Sequence, residues 1–212
     1  MKKVLSLLVL ALTINAIPAN AAEVKYKNLT TAIKTLKVTD EVRTGYKRTL
    51  FKHWTGTGNG CDSRKSVIIF EAVKKPTVEK GCVIKGGEWL SVYDNVVVTD
   101  AGKLDVDHMV PLAEAWDSGA SAWSPEKREI YANDQTDPRH LIAVTGASNR
   151  SKSDRDIADW VPTNKSYVCD YIANWVSVKV RWSLTIDAKE KDALLSNSKG
   201  CKAKKISLVP VK

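Results

Sequence analysis

The residue types best suited to chemistry lie in two short polar groups, at residues 107–108 and 149–154. Asp107 offers a hard carboxylate oxygen and Asn149 a hard amide oxygen, and such ligands suit Mg²⁺ or Mn²⁺ better than Zn²⁺. His108 titrates near neutral pH, so it can take a proton from an attacking water. These residue types together are suited to the hydrolysis of a phosphodiester.

A strand, a second strand and a helix are needed to bring the two groups together. The first strand delivers Asp107 and His108, the apolar run Leu141–Val144 predicts the second, and residues 145–152 predict the helix. Neighbouring residues of a strand point to opposite faces. Asp107 and His108 can therefore serve one site only if their strand is bent, bulged or ending there.

On these residues the chain resembles the HNH (ββα-metal) nuclease superfamily. The resemblance is carried by Asp-His-x-Val-Pro at residues 107–111 and Asn-Arg-x-Lys-Ser-Asp at residues 149–154, with Leu-Ile-Ala-Val before the Asn. More closely, the chain resembles secreted bacterial HNH-family proteins related to the C-terminal nuclease domain of a modification-dependent restriction enzyme. The resemblance extends from Tyr46 to about Leu184, which is most of the mature chain.

This resemblance implies an α+β fold, in which a ββα-metal (HNH) nuclease core carries an additional N-terminal hairpin and helix and C-terminal helices. We expect residues 22–212 to form a single HNH nuclease domain, with the catalytic module at about residues 104–156. Asp107 and Asn149 are predicted to bind one Mg²⁺ or Mn²⁺ ion, and His108 is predicted to be the general base.

Arg150 and Lys152 follow Asn149 and are predicted to meet phosphate oxygens. The alternative for both is an exposed, solvated helix charge. His140 stands where many HNH nucleases carry Asn, and we predict that it belongs to the site. The first interpretation is that His140 orients the site through a ring N–H to a backbone carbonyl, a function in which Asn133 could take part. A second catalytic polar group and a surface histidine are the alternatives.

Residues 1–21 have the pattern of a secretory signal peptide. Lys2 and Lys3 precede an apolar run that starts at Val4, and Ala19-Asn20-Ala21 supplies a cleavage site. A membrane anchor is the alternative, but the run is shorter than the ~20 residues that a span needs. No later stretch is apolar enough to cross a bilayer. The mature protein is therefore predicted to be secreted or periplasmic.

The four cysteines fit an exported protein, because an even count in such a chain predicts disulfides. Three connectivities are possible, and we favour Cys61–Cys82 with Cys169–Cys201, which join segments close in sequence. Zinc binding is the rival interpretation, but the Cys-x-x-Cys spacing typical of zinc sites is absent.

A positive charge further favours a polyanionic partner. The signal peptide contains two lysines and no acidic residue, so its removal lowers the formal charge from +9 to +7. Such a charge suits nucleic acid, although an anionic cell surface would also fit. Within residues 46–54, Lys47, Arg48 and Lys52 could touch a phosphate backbone, or the segment could simply pack its apolar residues inward.

Two further expectations concern the elements around the module. Strands at Cys82–Ile84 and Trp89–Tyr93, separated by two glycines, predict a hairpin. Ser124 and Pro125 predict a helix start with Ser124 as the N-cap. This helix lies in the insertion between the two polar groups, which we expect to pack on the outside and leave the site geometry unchanged.

The sequence thus predicts an exported, metal-dependent endonuclease that cleaves DNA rather than RNA, with RNA as the alternative substrate. We expect cleavage to be non-specific, because no separate sequence-reading motif is visible. The competing hypothesis is a basic exported binding protein that holds nucleic acid or another polyanion with an inactive HNH module. An inhibitor or immunity partner is not identified by the sequence.

Overall fold

The computed structural model describes residues 25–26, 28–201, 204–207 and 211. The predicted signal peptide at residues 1–21 lies outside the described residues. The α-helices of the described chain are α1 Leu29–Thr35, α2 Ser63–Glu71, α3 Leu112–Asp117, α4 Pro125–Ala132, α5 Gly146–Lys152, α6 Val168–Trp182 and α7 Ala188–Asn197. The strands are β1 Lys25–Tyr26, β2 Gly56–Gly58, β3 Cys61–Asp62, β4 Thr77–Glu79, β5 Val83–Lys85, β6 Trp89–Ser91, β7 Val96–Val98, β8 Leu104–His108, β9 Leu141–Thr145 and β10 Ile206–Ser207.

The strands form antiparallel pairs rather than one large sheet. The pairs are β1 with β10, β2 with β3, β4 with β5, β6 with β7, and β8 with β9. Helices combined with antiparallel strands give a mixed, α+β type of fold. Within the described residues, no helix is long and apolar enough to cross a membrane.

The predicted hairpin between residues 82–84 and 89–93 is wrong, because β5 and β6 pair with different partners. Gly86 and Gly87 both have positive φ, at 64° and 97°, which turns the chain away from a simple hairpin. The backbone of Glu88 then pairs with Lys74, the N–H of each residue donating to the other's carbonyl. The strand β6 is thereby directed toward β7.

The pair β8–β9 is the longest, and α5 follows it without a loop. Asp107 lies opposite Ile142, and His108 lies opposite Leu141. Thr145 ends β9 and also caps α5, because its hydroxyl accepts the N–H of Ser148 at 3.2 Å. The chain is therefore forced from strand into helix within one residue, which sets Asn149 one turn beyond the end of β9.

Two apolar clusters hold this unit from opposite faces. The larger cluster surrounds α6, whose Tyr171, Trp175, Val178 and Trp182 are buried as their spacing predicts. It also takes Ile142 and Val144 from β9. The smaller cluster packs Val67 and Ile68 of α2 against the other face of the strand pair. Its members from β8 and β9 are Leu104, Val106, Leu141 and Ala143.

Both favoured disulfides are present in the structure. Cys61 is joined to Cys82 and Cys169 to Cys201, and the described residues contain no free cysteine. The first holds the start of α2 against the β4–β5 turn, and the second holds the C-terminal segment on α6. Each closes a loop, which restricts the unfolded chain and so favours folding.

Candidate active site

An open cleft of about 270 Å³ lies where β8 ends against α5. The structure brings together here Asp107, His108, Asn149 and Arg150, four of the residues that the sequence nominates. The remaining lining residues are Arg48, Val106, Pro111, Leu112, Ser153 and Asp154. Lys152 and His140 do not line it; both are fully buried.

Asp107 and His108 reach one cleft because β8 ends at His108. Asp107 lies on the strand face that holds Ile142, toward the larger apolar cluster, whereas His108 lies on the face of Leu141, toward the smaller one. Pro111 follows three residues later and begins the turn into α3. The cleft opens at this strand end, so side chains from both faces contribute to it.

The imidazole of His108 is held in one tautomer by a backbone carbonyl. Its Nε2 lies 2.9 Å from the carbonyl oxygen of Ala132, which can only accept, so Nε2 carries the proton. Nδ1 then has the lone pair, and it has no hydrogen-bond partner among the described residues. Burial, followed by the neighbouring His140, lowers the pKa of His108 well below its ordinary value. The ring is therefore neutral at neutral pH, the form that can accept a proton.

His140 lies beneath His108 rather than in the cleft. The two rings are 6.2 Å apart and perpendicular, and Nε2 of His140 lies 2.7 Å from the carbonyl oxygen of Tyr131. Because its side chain is completely buried, His140 is not placed to touch a substrate, so the catalytic alternative does not fit this geometry. The ring N–H to a backbone carbonyl is the contact that the orienting interpretation requires.

The expectation that the insertion leaves the site unchanged is wrong. The carbonyls of Tyr131 and Ala132 are the last two of α4, where helical carbonyls have no partner within the helix. The carbonyl of Ala132 accepts the ring N–H of His108, and the carbonyl of Tyr131 accepts that of His140 beside the backbone N–H of Asp134. The helix α4, capped at its start by Ser124 as predicted, therefore sets the tautomer of His108.

The carboxylate of Asp107 is held by two buried groups. Lys152 Nζ donates to it at 2.7 and 2.9 Å, and the hydroxyl of Tyr93 donates to Oδ2 at 2.6 Å. Burial raises the pKa of Asp107, an effect that the nearby ammonium of Lys152 opposes. The carboxylate is thus held at the base of the cleft, and the buried ammonium of Lys152 compensates its charge.

The predicted phosphate contact of Lys152 does not fit this structure. Its ammonium is fully buried and is already bonded to Asp107 and, at 2.9 Å, to the carbonyl oxygen of His108. Burial lowers the pKa of Lys152, while Asp107 raises it. Positions 149 and 152 are three residues apart, so both side chains lie on the helix face toward β8. This spacing of three residues is the sequence signal that could have predicted the inward orientation of Lys152.

Asn149 is oriented by Asp105, a residue of β8 that lies on the same strand face as Asp107. Its amide nitrogen donates to Asp105 Oδ2 at 3.2 Å, which leaves the amide oxygen without a hydrogen bond among the described residues. Arg150 is exposed, with its guanidinium 3.9 Å from Asp105. An exposed ion pair at this distance is weak, so Arg150 keeps the freedom to meet a substrate.

A scan of family models matches residues 68–197 to "GmrSD restriction endonucleases, C-terminal domain". The chain belongs to this family. An uncharacterized secreted protein of the fungus Arthroderma benhamiae is 38% identical over 157 residues, covering 74% of this chain and 76% of that protein. No solved structure matches. The resemblance to a restriction-enzyme nuclease domain is thus confirmed, although this relative is fungal rather than bacterial.

Membership of the GmrSD C-terminal family identifies a nuclease family, and the match contains the whole β8–β9–α5 unit. Arg48 and Trp54 lie before the matched residues, yet both approach His108. Arg48 lines the cleft, and the Trp54 ring is 5.4 Å from the imidazole. The sequence left the role of Arg48 open and indicated no site role for Trp54 or Tyr93, because no local pattern relates these residues to Asp107 or His108 further along the chain.

Two groups of carboxylates elsewhere in this family member are close enough to share a cation. They are Glu41 with Glu114 and Asp117, and Glu41 with Asp156 and Glu190. Buried Lys179 bonds to Glu114 and Glu190, and Arg43 bonds to Asp117, so protein cations already compensate them. Neither group includes Asp107 or Asn149, and we assign no metal to them.

Proposed function

We propose that this protein is an exported, metal-dependent endonuclease with an HNH-type ββα-metal core, which hydrolyses DNA non-specifically. The observation that carries the proposal is the cleft at the end of β8. It combines a neutral histidine whose Nδ1 is available with a carboxylate and an amide oxygen. Membership of a family of restriction endonucleases supports DNA as the substrate.

The donor set of the cleft fits a single Mg²⁺ or Mn²⁺ ion. Asp107 Oδ1 accepts one hydrogen bond and Asn149 Oδ1 none among the described residues, so both oxygens retain capacity for a cation. Hard oxygen donors suit these ions better than Zn²⁺. An ion bound there would neutralise the negative charge that develops on the phosphate and on the leaving oxygen.

His108 is the proposed general base. Its Nδ1 takes a proton from a water that attacks phosphorus in line, and the positive charge that results on the ring is shared through Nε2–H with the carbonyl oxygen of Ala132. Lys152 lies 2.7 Å from Asp107 and stabilises the ionised form of its carboxylate. Arg48 and Arg150, at the margin of the cleft, are proposed to contact the phosphate in place of Lys152.

Export is supported by the predicted signal peptide, by the two disulfides and by the relative's description as a secreted protein. The positive charge of the chain suits a nucleic-acid substrate.

A nicking assay on supercoiled plasmid tests the proposal. We expect cleavage with Mg²⁺ or Mn²⁺, none with EDTA, and a loss of about 10²–10⁴-fold in rate for His108→Ala. Binding of the plasmid without cleavage under every metal condition would instead support an inactive polyanion-binding protein. A His108→Ala variant that cleaves at the wild-type rate would refute the assignment of the base.

A further inference from the structure

Trp54 adopts a strained backbone conformation beside His108. Its φ is +60°, a value that bulky L residues rarely adopt outside sites where the surrounding structure enforces it. The indole lies 5.4 Å from the imidazole, with 28° between the planes. Among the described residues, this is the shortest ring-to-ring distance that His108 makes; His140, His53 and Tyr131 are at 6.2, 6.3 and 6.5 Å.

Asn133 fixes the loop that carries this tryptophan. Its amide nitrogen donates to the carbonyl of Lys52 at 2.8 Å, and its amide oxygen accepts the N–H of Thr55 at 3.0 Å. These two contacts bracket residues 53 and 54. The same oxygen accepts the hydroxyl of Ser63 at 2.6 Å, which ties the loop to α2 as well.

Asn133 directly follows Ala132, whose carbonyl accepts Nε2–H of His108. One short segment at the end of α4 therefore holds both the imidazole and the loop that places a ring against it. The strain at Trp54 is maintained by contacts that converge on the site, not by an isolated turn.

The hydrogen bond at Nε2 alone does not fix the ring plane. Nε2 lies near the axis of the Cβ–Cγ bond, and rotation about that bond has only broad preferences in histidine. A flat ring stacked on the imidazole restricts this rotation, because tilting would separate or clash the two faces.

We propose that Trp54 is a positioning residue, which holds the plane of His108 so that Nδ1 faces the cleft. This inference rests on the proposed role of His108 as the general base. The side chain acts through the histidine and does not touch the substrate.

The kinetic test compares Trp54→Leu with Trp54→Phe. Leucine keeps part of the apolar volume but has no flat ring, whereas phenylalanine keeps a flat ring. For Trp54→Leu we expect kcat to fall by up to roughly 100-fold, since small displacements of a reacting group have effects of this size, while KM for plasmid stays within about twofold. Trp54→Phe should recover most of kcat.

Val67→Ala is the matched control, because Val67 belongs to the apolar cluster against which Trp54 packs. Its kcat should stay near wild type although it too loses packing. An increase in KM for Trp54→Leu with kcat unchanged would overturn the proposal, since the indole would then be a substrate contact. An equal loss of kcat in Val67→Ala would also overturn it, because general destabilisation would explain the result.

A readout without turnover uses the ring resonances of the histidines. The chain has three histidines, so His108→Ala identifies the signal of His108. In the wild-type protein, we expect that signal to be displaced by the indole ring current, and Trp54→Leu should abolish the displacement while Val67→Ala retains it. Undisplaced His108 resonances in the wild-type protein would overturn the proposal even if no Trp54 variant folds.

His108→Ala also separates the two proposals. A fully active His108→Ala variant would overturn both the base and its positioning residue. An inactive His108→Ala beside a Trp54→Leu variant with wild-type kcat would leave the base assignment standing and overturn the positioning role alone.

Discussion

Replacing Lys152 with methionine should destabilise the protein strongly. The ammonium of Lys152 is fully buried and lies 2.7 Å from Asp107. Methionine fills most of the volume, so the change chiefly removes the charge. Removing one partner of a buried ion pair costs about 3–5 kcal/mol, because the remaining charge stays buried without compensation. Tyr93 still donates to Asp107, which favours the lower end of this range.

The loss should depend on pH in a defined direction. Burial already raises the pKa of Asp107, and Lys152 opposes that rise. Without the ammonium the pKa of the folded carboxyl rises further above the unfolded value of about 3.9. Where the folded pKa exceeds the unfolded one, stability is lost as pH increases between them. The deficit of the Lys152→Met variant should therefore be larger at pH 8 than at pH 5.

Urea unfolding with EDTA present, at both pH values, measures the effect. Arg150→Gln is the control, because Arg150 is exposed and its ion pair spans 3.9 Å; it should change the free energy of unfolding by less than about 1 kcal/mol. A Lys152→Met variant as stable as the wild type would refute the buried-pair reasoning. Lys152 would then be a phosphate contact or an exposed helix charge, as the sequence predicted.

Two further predictions concern the cleft and α2. Arg48→Ala should reduce the slope of log DNA affinity against log salt concentration by about 0.9, since each neutralised phosphate contributes that much. Lys47 does not line the cleft, so Lys47→Ala should leave the slope unchanged. Equal slopes for the two variants would contradict a phosphate contact of Arg48. Burial raises the pKa of Glu71 from 4.5 to about 7, so its contribution to stability should fall as pH rises from 4.5 to 7, by up to about 3 kcal/mol. Glu71→Gln can still accept the N–H of Ala143 and should remove this decline in urea titrations at pH 5 and 7.5; an unchanged decline would exclude Glu71 as its source.

Much of the local structure followed from the sequence, because it depends on contacts within a few residues. Ser124 caps α4 as predicted, through a side-chain oxygen that accepts the N–H of Lys127 three residues later. The aromatic stripe of α6 is buried because its period matches the helix. The favoured cysteine pairs were also readable, since each joins segments close in sequence.

The sequence also predicted that one site contains Asp107, His108, Asn149 and Arg150, which line the cleft together. Two strands followed at once by a helix leave few ways to arrange the motif, and antiparallel pairing of β8 with β9 returns the chain to the end that carries His108. The local order of polar residues therefore determined the position of the candidate site.

Only the tertiary structure decided which of these polar groups face solvent. Lys152 and Arg150 are both basic residues of α5, yet the first is buried under Asp107 and the second is exposed, because α5 packs one face on β8. Sequence could likewise not assign the carbonyl of Ala132 or the ring of Trp54 to His108. These contacts join residues 24 and 54 positions apart, and they form only when α4 and the loop before β2 pack against the strand pair. A backbone carbonyl carries no residue identity, so its role in fixing the base can be read only from the folded chain.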